Sequence, residues 1–179
     1  MPSDLQVDNI KDGSATKTLA TLSSSAVTLH SDVSFPVGHV IQTTFNSSTN
    51  QTGITGSGGT YTSTGLVGTI TPTSTSNKLL ITVGLQMMIG NGYGSFSLRL
   101  NASDGGVVYT DNNTNAHYWS TGTTVNFRGR IFTQAWITPA SSGSAITYTV
   151  ELSKDASSLT LNAQHQSVPS SITIQEIQQ

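Results

Sequence analysis

The chain has no cysteine, and only 9% of its 179 residues are charged. The absence of cysteine excludes disulfides and thiolate metal sites, and it fits folding in a reducing cytosol. The few lysines and arginines do not cluster, so the sequence has no basic patch for a nucleic-acid backbone. No apolar run approaches the roughly 18 residues that a membrane-spanning helix needs, and residues 1–4 do not begin a secretory signal. We therefore expect neither nucleic-acid binding nor membrane insertion.

Groups suited to acid–base or nucleophilic chemistry are scarce. Glu151 and Glu176 are the only glutamates, whereas a glycosidase generally needs two carboxylates across one bond. Serine is abundant, but no G-x-S-x-G motif occurs and the spacing favours no acid–His–Ser arrangement. Serine, threonine, asparagine and glycine instead fill the polar positions. The composition therefore predicts a protein that is not an enzyme.

A metal or cofactor is not indicated either. The histidines, none of which has metal-ligand spacing, are His30, His39, His117 and His165. Oxygen ligands for calcium could come from Asp104, Asp111 and Asn112. Turn formation by these side chains explains them better, because the spacing of a calcium-binding loop is missing. We expect no metal and no cofactor.

Apolar and polar residues alternate over most of residues 36–179. Clear examples are residues 79–83, 96–100, 146–152, 159–161 and 172–174. One face of each such strand is apolar and the other is polar, as in antiparallel sheets with one solvated face. No window has the periodicity of a helix. The sequence therefore predicts an all-β fold.

Turn residues separate the alternating runs, for example TPT at 71–73, DGG at 104–106 and SGS at 142–144. About eight strands fit into residues 36–179. Such a chain must hide its sheet edges, so we predict an antiparallel β-sandwich head over these residues, with a jelly roll favoured. A seven-stranded immunoglobulin-like sandwich is the open alternative, because periodicity does not separate the two. Residues 46–65 are predicted to form a long, polar, glycine-rich loop.

Residues 1–35 have a different character. Leu5, Val7 and Ile10 form a brief apolar set, and residues 27–30 resemble one short strand. This segment is too short and polar to bury a core of its own. We interpret it as an extended attachment arm that pairs with a neighbour by strand addition or wrapping. A tail without fixed structure is the alternative.

Aromatic side chains are the best candidates for ligand contact. The candidate cluster is formed by His117, Tyr118 and Trp119, which follow a predicted turn, together with Trp136 and Tyr93. Aromatic faces suit the apolar faces of sugar rings, so we assign glycan or receptor contact to His117, Tyr118 and Trp119. Core packing is the more common role of large aromatics, and we expect it for Trp136 and Tyr148.

Three arginines occupy the polar phase of their strands: Arg99, Arg128 and Arg130. They are expected either to form ion pairs between subunits or to be solvated.

Four ordered segments resemble the virion proteins of tailed phages, especially those of cyanophages and other marine phages. The segments are residues 5–12 (LQVDNIKD), 27–42 (VTLHSDVSFPVGHVIQ), 70–81 (ITPTSTSNKLLI) and 171–177 (SITIQEI). The resemblance implies a virion structural protein of a fibre, tail appendage or capsid decoration. Such proteins are commonly homotrimers with an N-terminal attachment part and a C-terminal β-rich head.

These observations together predict a non-enzymatic structural protein of a phage virion, assembled in the host cytoplasm. Its expected partners are copies of itself in a homotrimer, other capsid or tail proteins, and a host surface glycan. A free carbohydrate-binding or adhesin module is the alternative.

Overall fold

The alternation of apolar and polar residues is realised as two groups of antiparallel strands. The computed structural model describes residues 9–11, 18–22, 27–29, 36–90, 93–111, 119–120, 127–155 and 159–179. The chain divides into two compact units, Met1–Pro36 and Val37–Gln179. No helix in the described ranges is long and apolar enough to cross a membrane.

The first unit contains the short strands β1 (Asn9–Lys11), β2 (Thr18–Leu22) and β3 (Val27–Leu29). They pair antiparallel in the order β1-β2-β3. The predicted strand at residues 27–30 is present as β3. The described part of this unit is a three-stranded meander, which differs from one extended arm because the strands use one another as backbone hydrogen-bond partners.

The second unit contains twelve strands and one short turn of 3-10 helix at His165–Ser167 among its described residues. The strands are β4 (Val40–Ser48), β5 (Thr52–Gly53), β6 (Thr62–Ile70), β7 (Lys78–Gly90), β8 (Tyr93–Gly94), β9 (Phe96–Ala102), β10 (Gly106–Asp111), β11 (Trp119–Ser120), β12 (Phe127–Ile137), β13 (Ile146–Lys154), β14 (Thr160–Ala163) and β15 (Ser170–Ile177). All-β structure is thereby confirmed.

One sheet, called sheet I here, is built around β7. β15 pairs with residues 78–84 of β7, and β14 pairs with residues 87–90 along the same edge. β4 and β5 extend the sheet by pairing with β15 and β14. β12 pairs with the opposite edge of β7 over residues 79–89. Sheet I therefore has four strand positions, occupied by β4 with β5, β15 with β14, β7, and β12.

The second sheet, sheet II, has the order β10-β9-β13-β6 and is antiparallel throughout. A separate ribbon pairs β8 with β11, where Trp119 lies opposite Gly94. Sheets I and II pack face to face in a β-sandwich, so each buries one side and exposes the other.

The core lies between the two sheets and follows the predicted phase. Ile81 and Val83 of β7 are fully buried, as are Leu100 of β9 and Val150 of β13. The phenol ring of Tyr148 is buried among them, which confirms its predicted core position. Burial of this kind is the main term that stabilises the sandwich.

The predicted loop at residues 46–65 is wrong in its extent. β4 continues to Ser48, β5 occupies Thr52–Gly53, and β6 begins at Thr62, so the connection between β5 and β6 spans only residues 54–61. Threonine and serine suit the outward positions of an edge strand. Thr64 instead points inward, and its hydroxyl is satisfied by donating to the carbonyl oxygen of Val150 at 2.8 Å.

Connections gather at the two ends of the sandwich. At one end, the backbone nitrogen of Gly58 donates to the carbonyl oxygen of Lys154 at 3.0 Å. At the other end, the nitrogen of Gly143 donates to the carbonyl oxygen of Pro72 at 2.8 Å. The predicted turns at 71–73, 104–106 and 142–144 all fall at or beside strand ends.

Candidate functional site

The outer side of sheet I carries three large exposed aromatic side chains. Phe45 on β4 is 68% exposed, and Phe132 and Trp136 on β12 are 70% and 54% exposed. β4 and β12 are the two edge strands, roughly 14 Å apart at the usual strand spacing. We call this surface the aromatic face. Aromatic and arginine side chains are enriched where proteins contact partners, so this surface is the candidate contact site.

The floor of the aromatic face between these rings is polar. Following the register across the sheet, Phe45 is level with Thr173, Thr82 and Gln134. The Gln134 side-chain nitrogen donates to the Thr82 hydroxyl at 3.3 Å. Hydroxyl and amide groups thus separate the rings, so the surface is not one continuous apolar patch.

Phe132 is held close to the sheet by a glycine. A Cβ atom added at Gly84, which lies opposite Phe132 in the ladder, would stand 3.2 Å from Cε1 of the ring and 3.3 Å from the Ser171 hydroxyl. The ring therefore lies across the backbone of β7. The guanidinium of Arg130 stands 5.9 Å from the ring centre, within the range of a cation–π contact.

Basic side chains flank the aromatic rings on this face. Arg128 and Arg130 are exposed on β12, and Lys78 at the start of β7 donates to the Thr138 hydroxyl. Arg128 donates to the side-chain oxygen of Gln166, and Arg130 donates to the Pro169 carbonyl oxygen at 3.1 Å. In these contacts within the described part of the chain, each arginine uses one of its five N–H donors.

The acceptors of both arginines belong to a strained turn between β14 and β15. Gln164, Gln166 and Ser167 all have positive φ values of 49° to 57°, which non-glycine residues adopt only at a cost. The Gln166 backbone nitrogen donates to the Gln51 side chain at 2.9 Å. The turn is therefore bonded both to β12 and to the connection between β4 and β5, which fixes the arginines beside the aromatic face.

A buried carboxylate stands at the end of sheet I where β7 begins. Glu176 is fully buried and accepts hydrogen bonds from the nitrogen and hydroxyl of Thr73 at 2.9 and 2.8 Å. The side-chain nitrogens of Asn77 and Gln42 donate to it at 2.6 Å each. Burial raises the pKa of Glu176, but the hydrogen bonds from Asn77, Gln42 and Thr73 outweigh burial and hold the pKa below its ordinary value. This carboxylate fastens the connection between β6 and β7 to the last strand.

The Tyr148 phenol is the other perturbed group. Burial, reinforced by the negative charge of Asp104, raises the pKa of Tyr148 to about 12. Alkaline titration followed by absorbance should therefore show one of the five tyrosines ionising near pH 12. The folded pKa of Tyr148 lies above the unfolded value of about 10. The contribution of the neutral phenol to the free energy of unfolding should therefore be lost as the pH rises from about 10 to 12. Tyr148→Phe should remove the ionisation near pH 12, and a titration curve of the parent protein that Tyr148→Phe leaves unchanged at that pH would contradict the assignment.

Most of the predicted contact residues lie outside the described ranges. His117 and Tyr118 are among them, as are Leu5 and Val7 of the predicted attachment arm. Trp119 lies in β11 and is described only by its backbone pairing. Ile10 lies in β1, opposite Ala20. Their assigned roles therefore stay predictions.

The prediction that Trp136 packs in the core is wrong. Its neighbours Ala135 and Ile137 point toward the interior, so Trp136 shares the outward phase with Arg128 and Arg130. Period two along β12 was the signal that could have found this exposed tryptophan.

Arg99 forms an ion pair within the chain. Its Nε stands 2.5 Å from a carboxylate oxygen of Glu151, and its guanidinium lies 4.0 Å from the centre of the Tyr61 ring. This pair is on the outer side of sheet II, where partial exposure makes its contribution to stability small.

The acidic turn residues do not assemble a metal site in the described ranges. The Asp104 carboxylate accepts a hydrogen bond from the Ser141 hydroxyl at 2.9 Å, which fits the predicted turn role. No group of three or more His, Cys, Asp or Glu side chains comes together among those residues.

No protein-family model and no curated protein matches this chain.

Proposed function

We propose that the chain is a non-enzymatic structural protein of a phage virion, acting as the head of a fibre or appendage or as a capsid decoration protein. The observation that carries the proposal is the aromatic face, a broad exposed sheet surface with Phe45, Phe132 and Trp136 standing above hydroxyl groups. Exposed aromatic side chains of this kind are enriched where proteins contact partners. The resemblance of four segments to tailed-phage virion proteins supports the same assignment.

The jelly-roll form of the sandwich is part of this proposal. Counting β4 with β5 and β14 with β15 as single strand positions gives four positions in each sheet, eight in all. A jelly roll has eight strands in two sheets, whereas a constant-type immunoglobulin fold has seven. The chain also passes from one sheet to the other at almost every connection, with β9–β10 as a hairpin inside sheet II.

A homotrimer is the proposed assembly. Multi-angle light scattering of the full chain should then give three times 18.7 kDa, or 56 kDa. Trimerisation would add apolar burial to a chain of low hydrophobic content and raise its stability with concentration. A folded monomer at micromolar concentration would overturn the trimer.

Particle localisation tests the virion assignment itself. Cryo-electron microscopy of purified particles should reveal density for the sandwich on either the tail appendage or the capsid surface. Particles that lack the protein, checked by mass spectrometry of the same preparation, would reject the assignment.

A free carbohydrate-binding module is the second candidate function. The exposed rings of Phe132 and Trp136 on one strand favour it, because aromatic faces stack on sugar rings. If the chain is such a module, the isolated chain should bind glycans, and purified phage particles should not contain it.

A further inference from the structure

One line of outward-pointing side chains, those on β12 exposed and Lys78 on β7 half-buried, runs along the aromatic face. Read from one end to the other through the ladder pairs, the order is Lys78, Trp136, Gln134, Phe132, Arg130 and Arg128. We call this line the β12 track. It covers about ten residues of strand, or roughly 33 Å, with cations at both ends and aromatic rings between them.

We propose that the β12 track binds a linear acidic polysaccharide. Trp136 and Phe132 leave the strand on the same side, four residues and about 13 Å apart. The Gln134 amide stands between them. Two rings at this separation can stack on different sugar units of one polysaccharide chain. The Gln134 amide can then form hydrogen bonds with the hydroxyl groups of a sugar unit that lies between the two stacked ones.

A sugar polymer suits this surface better than a protein partner does. The core of a protein–protein interface is enriched in contiguous apolar residues. Here the rings of Phe132 and Trp136 are separated by Gln134 and its ladder partner Thr82, so water would stay bound between them. A ligand rich in hydroxyl groups can displace that water and form the same hydrogen bonds with the protein.

The excess of basic side chains on the aromatic face favours an acidic ligand. Residues 37–179 contain five basic and five acidic residues, yet three of the five basic side chains lie on this face. The described acidic side chains lie elsewhere: Glu151 is on sheet II, Glu176 is buried, and Asp104, Asp111 and Asp155 are at connections or strand ends. Arginine guanidinium groups bind carboxylates through pairs of hydrogen bonds, so uronate-like groups fit the N–H donors of Arg128 and Arg130 other than those that bond Gln166 and Pro169.

The test uses polygalacturonate as the acidic polymer and fully methyl-esterified pectin as its uncharged counterpart. Isothermal titration calorimetry with the full chain should detect binding to polygalacturonate that weakens with added salt, since screening reduces attraction between exposed charges. Trp136→Ala should weaken binding by roughly tenfold, the effect of losing one stacking contact. Arg128→Gln combined with Arg130→Gln should also weaken binding and flatten its salt dependence.

Matched controls separate the β12 track from general effects. Val107→Ala removes an exposed apolar side chain from β10 in sheet II, and Arg99→Gln removes one positive charge from the outer side of the same sheet. Both should bind like the parent protein. Circular dichroism melts should confirm that all variants fold.

Several results would overturn the proposal. Equal binding to both polymers would reject the acidic class, and no binding to polygalacturonate would reject the site. Loss of self-association in Trp136→Ala without any polysaccharide binding would assign the face to contact between copies instead. The location of the chain on a particle does not enter this test, so failure here leaves the virion assignment to be judged separately.

Discussion

Replacing Glu176 with glutamine is expected to lower the free energy of unfolding by about 2–4 kcal/mol at neutral pH. The side chain is fully buried and surrounded by donors. A glutamine would place its own N–H groups against those of Asn77, Thr73 or Gln42 and leave at least one buried donor without an acceptor. Urea denaturation of both proteins, at one fixed protein concentration, measures the difference.

The same carboxylate should make the stability of the parent protein depend on pH. Its folded pKa lies below the ordinary value, so its contribution is fully present above the unfolded pKa of about 4.3. That contribution is lost as the pH falls through the folded pKa. The gap between parent and Glu176→Gln should therefore narrow in acid.

Glu151→Gln is the matched control for this carboxylate. It changes the other glutamate of the chain, which is partly exposed and paired with Arg99, and should cost less than about 1 kcal/mol. Equal effects of the two substitutions at neutral pH would show that the Glu176 hydrogen bonds do not hold the fold.

Truncating Ile81 to alanine is expected to cost about 2–5 kcal/mol. Ile81 is fully buried at the middle of β7, where β12 pairs on one side and β15 on the other. Three strands share the space that the lost methyl groups would leave, so the cavity cannot close by moving one strand alone.

Urea denaturation again measures this effect, with Val107→Ala as the control. Val107 is 48% exposed, so its truncation should change the free energy of unfolding by less than about 0.5 kcal/mol. Similar losses for the two variants would mean that the interior of the sandwich does not set its stability.

The sequence was a good guide to strands whose two faces differ strongly. Ile146, Tyr148 and Val150 alternate with polar residues, and all three are buried. The physical cause is local, because successive side chains of a strand point to opposite sides. In the threonine-rich stretch before Leu66, polar residues occupy both faces of β6, so the sequence pattern there does not show the alternation of a strand.

The sequence was a poor guide to features made by distant residues. Glu176 meets Thr73 across 103 positions of the chain, and no spacing rule links the two. Phe45 and Trp136 share a surface only because β15 and β7 lie between their strands. The register between strands sets these neighbours, and periodicity within one strand does not contain it.

The turn at residues 164–169 lies between two strands that pair with the same edge of β7. β14 ends opposite Met87 and β15 resumes opposite Gly84 on the same edge of β7. The chain leaves the sheet there and returns to the same line. Extra residues at this point would lengthen the excursion and leave every ladder pair on either side in place. Related chains could therefore differ in length here and still share one architecture, with the added segment displayed beside Arg128 and Arg130.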